Sequence, residues 1–458
     1  MDLTLLVLIS TPVLVLAGLA IPHKVLIVAL GYASSLFVKL AIFNALPVYS
    51  LIGGLVSWMR VRRVEGVNGL RTLTRVLVIG GLVALMSAVW SPEPLDAMST
   101  SLRWLALAPL VILAVNVLQE NGYAGISTML ACLAPLALAQ AGTTILFRLN
   151  PGAEDSYYQS GLGRFFLGEG SAALFTEAGW NNVRELDRAG GFLFVSVNRA
   201  SLVMGVMFLV YFACWAFTRR AWPLLVAGAL AVAIVLGGSK TGLVLLIVLP
   251  VFALAVAAVS SRRNAAGRIG LLLGALVAAV VALNVFVSTA DEFVSASSAT
   301  LVPRYTLWGE AARAMAENPI VGLGFGGWEA RWGAGQVAAN FSYRPAHNWF
   351  LQAWLDGGIL YATMNIALVI TVLILMLRAV STATTVSSKR VFALMGSAFL
   401  WAFIHGNFDN TELFGDSQGF VFLAIAAAAF LVGIEVPDRT KSSRVQQSRS
   451  RRSTPQMG

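Results

Sequence analysis

Long apolar runs separated by short polar connections dominate the chain. A helix that crosses a bilayer needs about 20 consecutive apolar residues. Runs of this kind predict membrane-spanning helices in twelve stretches: 3–21, 25–59, 74–92, 103–118, 124–146, 192–217, 222–238, 241–260, 268–289, 358–378, 390–406 and 418–434. Because 25–59 is long enough for one or two crossings, the pattern predicts an all-α membrane protein with 12 or 13 spans.

Basic residues in the connections predict how the spans are oriented. Lysine and arginine are enriched in cytoplasmic loops. When the spans alternate, the basic segments fall on one side: 60–75, 218–220, 261–268, 378–390 and the C-terminal tail. That side is therefore predicted to be cytoplasmic, and two long polar intervals, roughly 147–191 and 290–357, are predicted to face outward.

These features divide the chain into six parts. They are N-terminal transmembrane helices (1–146), a first outward loop (147–191), central transmembrane helices (192–289), a large outward loop with the candidate active site (290–357), C-terminal transmembrane helices (358–435) and a basic cytoplasmic tail expected to be disordered (436–458). The first apolar run lacks a basic segment before it, so it is predicted to be a retained span and not a cleaved signal.

Composition excludes a soluble globular protein. Of the 458 residues, 58% are hydrophobic and only 12% are charged, and the mean hydropathy is +0.77. The net charge of +10 lies largely in cytoplasmic loops and the tail, so it does not indicate nucleic-acid binding. Cys132 and Cys214 fall in apolar runs without a CxxC motif and are predicted to be buried small residues.

Arginine is more frequent in the outward intervals than the orientation rule predicts. The outward arginines are Arg164, Arg184, Arg188, Arg304, Arg313, Arg331 and Arg344. A guanidinium group binds phosphate oxygens in a bidentate manner and stays charged, so this excess favours a diphosphate ligand attached to a lipid. Pairing with nearby carboxylates is the alternative: Glu177, Glu185, Asp187 or Glu310.

Two further cations lie in or beside predicted spans. Arg199 is predicted to lie about two helical turns inside its span, where its neighbours at i±3 and i±4 offer no carboxylate. An anionic ligand or the outer headgroups are its candidate partners. Lys240 resembles the end of a P-loop, but Ser239 replaces the required glycine, so we expect a cation at a tight outer turn, bound to ligand or merely exposed.

The glycine-rich stretch GLGFGG at 322–327 lacks the βαβ context of a dinucleotide site. It is predicted to form a tight turn that brings the backbone close to a substrate or to another helix.

His347 follows Pro345 and Ala346 and precedes an apolar helical pattern. A helix N-terminus there would keep the imidazole neutral and suited to act as a general base. A structural role at headgroup level is the alternative. His405 is a second candidate base at the outer end of a late span. No metal-binding motif is present, so a reaction without a metal or other cofactor is predicted.

Four stretches occur in an order typical of one family. They are SVNRAS (196–201), GGSKTG (237–242), PRYTLWGEAARAMAENPIVGLGFGGW (303–328) and AHNWFLQAWLDGGI (346–359). Over most of 190–435 the chain resembles the O-antigen ligase and polymerase superfamily of bacterial envelope glycosyltransferases.

The resemblance implies a GT-C-like bundle of about a dozen spans with a periplasmic helical loop over the active-site cavity. It implies transfer of a glycan from undecaprenyl diphosphate to lipid A–core or to another lipid-linked repeat, at the periplasmic face of the inner membrane. It also implies that His347 is the base and that Arg199 and Arg304 hold the diphosphate. Lys240 stands where ligases often have arginine, and Asp356 where glutamate is commoner. Asn348, Arg344, Asp356 and His405 are possible supporting residues.

Three alternatives remain open at this level. A polymerase of lipid-linked repeats would bind the same donor as a ligase. The loop signatures of a peptidoglycan polymerase of the shape, elongation and division class are not evident. A secondary transporter would also have about 12 spans, but the internal repeats typical of transporters are not visible in the sequence.

Overall fold

The computed structural model describes most of the predicted helical part of the chain. The described residues are 22–33, 39–40, 43–44, 67–167, 187–261, 291–335, 345–408, 413–414 and 416–435. The predicted spans at 3–21 and 268–289, most of 25–59, the tail, Arg184 and Arg344 lie outside them.

The described chain is helical apart from one two-residue antiparallel strand pair, β1 (Lys39–Leu40) and β2 (Phe43–Asn44). The helices are α1 (His23–Ala33), α2 (Asn68–Ser87), α3 (Pro94–Leu149), α4 (Pro151–Gln159), α5 (Gly161–Leu167), α6 (Val197–Thr218), α7 (Ala221–Gly237), α8 (Lys240–Ser261), α9 (Asp291–Glu317), α10 (Gly327–Gly335), α11 (Trp349–Thr382), α12 (Val386–His405) and α13 (Phe420–Val432). Two short 3-10 helices, Gly406–Phe408 and Ser417–Gly419, lie between α12 and α13.

Six described helices are long and apolar enough to cross a membrane. They lie at Gly69–Ser87, Pro94–Leu149, Val197–Thr218, Lys240–Ser261, Trp349–Thr382 and Val386–Phe408. Shorter apolar helices occur at His23–Tyr32, Ala221–Gly237 and Ser417–Val432. The all-helical membrane class predicted from the hydropathy pattern is therefore confirmed.

Helix α3 contains two predicted spans. A straight helix of its 56 residues would be about 84 Å long, far more than the hydrocarbon thickness of about 30 Å. The helix is broken at Gly122, whose φ of 57° and ψ of −156° are accessible mainly to glycine. This break falls between the predicted spans 103–118 and 124–146.

The cysteine prediction holds at one of its two positions. Cys214 is buried, whereas Cys132 is exposed on α3. The prediction for Cys132 was wrong because an apolar run in a membrane helix includes the side that faces lipid as well as the side that faces protein.

Helices α6 and α12 form the buried centre of the bundle, whereas much of the surface of α8 and α11 is exposed at the periphery of the bundle. The two central helices approach closely at Gly205, where an added Cβ would lie 1.7 Å from the Trp401 ring. A glycine is required here because the backbone of α6 touches the indole directly.

Replacing Gly205 by alanine should destabilise the bundle, because the methyl group displaces the Trp401 ring at a cost of about 1–3 kcal/mol. The apparent melting temperature in detergent should fall. Gly228→Ala in α7 is the matched control, since an added Cβ there meets nothing within 4 Å. Equal melting temperatures for the two variants would contradict this packing.

Side chains form hydrogen bonds with the backbone N–H and C=O groups of the non-helical segment that precedes α6. Gln140 Nε2 donates to the Gly190 carbonyl at 2.7 Å, and Gln140 Oε1 accepts from the Leu193 N–H at 3.1 Å. The Tyr157 hydroxyl donates to the Phe192 carbonyl at 2.7 Å. These bonds make a non-helical path stable beside the bundle, so α6 begins only at Val197.

Glu154 lies beneath this segment and is nearly buried. Burial raises the pKa of its carboxyl to about 6, although hydrogen bonds with the Tyr158 hydroxyl and the Gly190 backbone act in the opposite direction. The fold therefore favours the neutral carboxyl.

The raised pKa predicts that Glu154 makes the protein less stable as the pH rises. The favourable contribution of its neutral form is complete below the usual value of about 4.5 and is lost as the pH rises through about 6. Glu154→Gln should remove this part of the pH dependence of the melting temperature and raise that temperature at pH 7. Asp155→Asn, at an exposed neighbour whose charge is the smallest contribution to the raised pKa, should keep this pH dependence and shift it only slightly toward lower pH.

Candidate functional site

The first part of the site lies where α7 ends and α8 begins. Gly238, with φ of 88°, makes the tight turn predicted before Lys240. Ser239 then caps α8, because its Oγ accepts from the Gly242 N–H at 3.3 Å. Lys240 is the first helical residue and stands beside the positive end of the helix dipole.

Ser239 also joins α8 to two other helices of the bundle. Its Oγ donates to Asn198 Oδ1 at 3.1 Å and lies 3.5 Å from His405 Nε2. Three sequence stretches that are far apart in the chain therefore meet at one end of the bundle. His405 is fully buried there, so it is a packing partner of the turn and is not at an open surface.

Arg199 lies in the first turn of α6, two residues after its first residue, Val197. The prediction that it lies two turns inside a span was wrong, because side chains hold residues 189–195 in a non-helical path. The Arg199 side chain is 49% exposed, and its Nη1 lies 3.7 Å from Asp416 Oδ1.

Asp416 was missed by the sequence analysis. It is not a helical neighbour of Arg199 but comes from the connection between α12 and α13, far away in the chain. At 3.7 Å the ion pair is loose. The exposed part of the guanidinium can therefore receive an anion while Asp416 still orients it.

His347 lies directly before the N-cap of α11, as predicted. Asn348 is the cap, because its Oδ1 accepts from the N–H groups of Phe350 and Leu351 at 3.0 and 3.1 Å. His347 has φ of 50°, the left-handed region that a residue with a β-carbon rarely adopts. Such backbone strain persists only where the surroundings hold it in place.

Helix α9 holds the segment before His347. Trp308 Nε1 donates to the Ala346 carbonyl at 2.9 Å. Arg304 lies four residues before Trp308, so the two side chains leave the same side of α9. The face of α9 that carries the candidate diphosphate-binding arginine is therefore the one that contacts the segment before the candidate base.

The His347 segment also contacts the helix that carries His405. Trp349 Nε1 donates to the Phe403 carbonyl at 2.7 Å. Because α12 also contacts Ser239, the start of α11 and the start of α8 lie on the same end of the bundle. The positive ends of α6, α8 and α11 therefore all lie at this end, which favours an anionic ligand.

The glycine turn at 322–327 packs against protein backbone. Glycines 322, 324 and 326 all have positive φ. The Glu93 N–H donates to the Phe325 carbonyl at 2.9 Å, and the Phe325 N–H donates to Ser91 Oγ at 2.8 Å. Of the two predicted roles, close approach to another helix connection therefore fits the structure.

Two of the arginines predicted to face outward pair with local carboxylates. Arg313 Nη1 lies 2.6 Å from Glu310 Oε1, and Arg331 forms two hydrogen bonds with Glu317 at 2.6 and 3.0 Å. The pair with Arg331 lowers the pKa of the Glu317 carboxyl. The alternative explanation of the arginine excess therefore applies to these two residues.

Asp356 is buried in α11 and accepts a hydrogen bond from Gln352 Nε2 at 2.9 Å. The same Nε2 lies 3.3 Å from Glu329 Oε1 in α10. Neither Gln352 nor Glu329 was singled out from the sequence, although Gln352 lies within the stretch AHNWFLQAWLDGGI. Within the described ranges, no group of three or more histidine, cysteine or acidic residues is arranged to hold a metal ion.

Comparison with known proteins gives one family match and no match in sequence to a curated protein. Residues 225–366 match a family model described as O-antigen ligase. The matched stretch includes Lys240, Arg304 and His347, whereas Arg199 and His405 lie outside it. The match confirms the predicted resemblance of this chain to the O-antigen ligase and polymerase superfamily.

Proposed function

We propose that the protein is an O-antigen ligase-like glycosyltransferase of the bacterial inner membrane. It would transfer a glycan from undecaprenyl diphosphate to a hydroxyl of lipid A–core at the periplasmic face. About 12 spans and two periplasmic loops, 147–191 and 290–357, belong to this proposal. The family match supports the reaction class. The site assignment rests on the end of α12, which contacts both the start of α11 beside His347 and the turn that joins the helix ends of Arg199 and Lys240.

His347 acts as the general base in this proposal. It accepts the proton of the acceptor hydroxyl while the hydroxyl oxygen forms a bond to the anomeric carbon of the donor sugar. The bond from that carbon to the phosphate oxygen breaks, and the diphosphate leaves with the bonding electrons. Because attack and departure occur on opposite faces, the anomeric configuration inverts.

The leaving diphosphate gains negative charge, which cations stabilise without a proton donor or a metal. Arg199, Arg304 and Lys240 are the candidate residues for this task. The exposed part of Arg199 and the positive helix ends beside it support its assignment. Arg313 and Arg331 are not proposed to bind substrate, because local carboxylates already hold them.

Deletion of the gene should remove long glycan chains from lipid A–core while polymer accumulates on the lipid carrier. A gel of envelope glycans from the deleted strain, with and without the wild-type gene, measures this. Core that carries a single repeat would instead identify a polymerase. Unchanged glycans would contradict the glycosyltransferase proposal and favour a transporter.

Loss of the base should slow transfer without removing the protein from the membrane. His347→Ala should lower kcat by about 100-fold to 10,000-fold, the usual contribution of a general base. His23→Ala is the matched control, because His23 pairs with Glu120 at 3.0 Å and is predicted to lie on the cytoplasmic side. Normal transfer by His347→Ala in a purified assay with lipid-linked donor would exclude His347 as the base.

Arg199 should bind the diphosphate through the planar, bidentate geometry of its guanidinium as well as through its charge. Arg199→Ala should lower kcat/KM by about 100-fold, and Arg199→Lys by about 10-fold, because lysine keeps the charge but loses the bidentate fork. Arg313→Ala controls for the loss of a surface arginine and should leave transfer unchanged, since Glu310 already pairs with it. Equal activities for the three variants would contradict diphosphate binding by Arg199.

A further inference from the structure

Gln352 lies in the first turn of α11. Its side-chain amide contacts Ala346 before the helix, Glu329 of α10 and Asp356 within α11 itself. Its Oε1 accepts from the Ala346 N–H at 2.9 Å. Its Nε2 donates to Asp356 Oδ1 at 2.9 Å and to Glu329 Oε1 at 3.3 Å. One side chain therefore joins the residue before His347 to two carboxylates.

The chemistry of these partners fixes which way the amide points. A glutamine amide has one acceptor oxygen and one nitrogen with two hydrogens. In the observed orientation the oxygen faces an N–H group, and the two hydrogens face two carboxylates. The flipped orientation would place the oxygen against both carboxylates and the nitrogen against the N–H group, so it is strongly disfavoured.

The carboxylate that comes from α10 is itself poorly solvated. Burial raises the pKa of Glu329, and nearby Asp96 raises it further, whereas its hydrogen bonds, including the one with Gln352, act in the opposite direction. Glu329 Oε2 is buried and has no hydrogen-bond partner among the described residues. The amide hydrogens of Gln352 are therefore important to this acidic group, and the acidic group in turn holds the amide.

The segment that Gln352 holds is the one that places His347. The left-handed backbone of His347 needs support from the residues on both sides. On one side, Ala346 is held at its N–H by Gln352 and at its carbonyl by Trp308. On the other side, Asn348 is held as the N-cap of α11. Without Gln352, the Ala346 backbone loses one of these two hydrogen bonds.

We propose that Gln352 is a positioning residue for His347, and that Glu329 and Asp356 orient its amide for this task. This inference rests on the proposed function, because it assigns Gln352 a part in the reaction that His347 performs. Gln352 touches neither substrate nor the reacting atoms. Its loss therefore affects the rate of the chemical step more than the binding of the lipid-linked donor.

The direct test compares Gln352→Leu with Asn365→Leu in the purified full-length protein in nanodiscs. Asn365 is a buried amide of the same helix, and its Nδ2 donates to the Tyr361 carbonyl one turn away. Gln352→Leu should lower kcat by about 10-fold to 100-fold, as a small misplacement of a catalytic group does. Its KM should stay within about two-fold of the wild-type value.

Hydrogen exchange gives a readout that does not depend on activity. The Ala346 amide should exchange faster in Gln352→Leu, because its acceptor is gone, and should be unchanged in Asn365→Leu. Faster exchange with normal kcat, or normal exchange with reduced kcat, would overturn the inference. Neither result would affect the proposed function, which fails instead if His347→Ala transfers glycan normally.

Gln352→Glu provides a second variant of nearly the same size. The new carboxylate would face Glu329 and Asp356, with Asp96 nearby. The two N–H donors of the amide would be lost, and the negative charges would repel one another. Protonation restores one donor. The activity of Gln352→Glu relative to wild type at the same pH should therefore rise as the pH falls, whereas a ratio that does not change with pH would overturn the inference.

Discussion

The need to satisfy every backbone polar group near the membrane governs this structure. Water is scarce there, so a chain that leaves its helix must find other hydrogen-bond partners. The segment before α6 does so with the side chains of Gln140 and Tyr157, and the turn before α8 does so with Ser239. Irregular backbone therefore occurs in the described bundle where polar side chains of neighbouring helices support it.

This requirement explains why polar and ionisable side chains lie together at one end of the bundle. A helix end leaves unpaired N–H groups that attract anions, and a side chain that caps the helix adds polar atoms to the same place. Ser239 and Asn348 are such caps, and each stands next to a residue with an ionisable side chain, Lys240 and His347. The groups that stabilise the fold and those proposed to act on a substrate are therefore neighbours in the chain.

The sequence was sufficient for features that depend on local pattern. Apolar runs predicted the long apolar helices of the described region, including both halves of α3 on either side of Gly122. The residues around His347 predicted a helix N-terminus, and the glycines before Lys240 predicted a tight turn. In each case the signal lies within a few residues of the feature.

Features that depend on distant parts of the chain were not predicted. Arg199 forms an ion pair with Asp416, which no helical periodicity connects to it, and the true start of α6 depends on Gln140 in another helix. The network of Gln352 depends on Glu329, which comes from the separate helix α10. Side chains of this kind look like ordinary polar residues until the packing of the helices is known.

The loop around Gly322 and the helix α11 fit closely together at two glycines. Gly322 and Gly358 both have positive φ, and an added Cβ at Gly358 would lie 1.9 Å from the Ile320 carbonyl oxygen. The Ile359 N–H donates to the Pro319 carbonyl at 3.1 Å across the same contact. A chimaera that exchanges this loop between related proteins must therefore carry the whole stretch from Pro319 to Ile359. A junction inside this stretch would place one side of the close contact against a residue from the other protein.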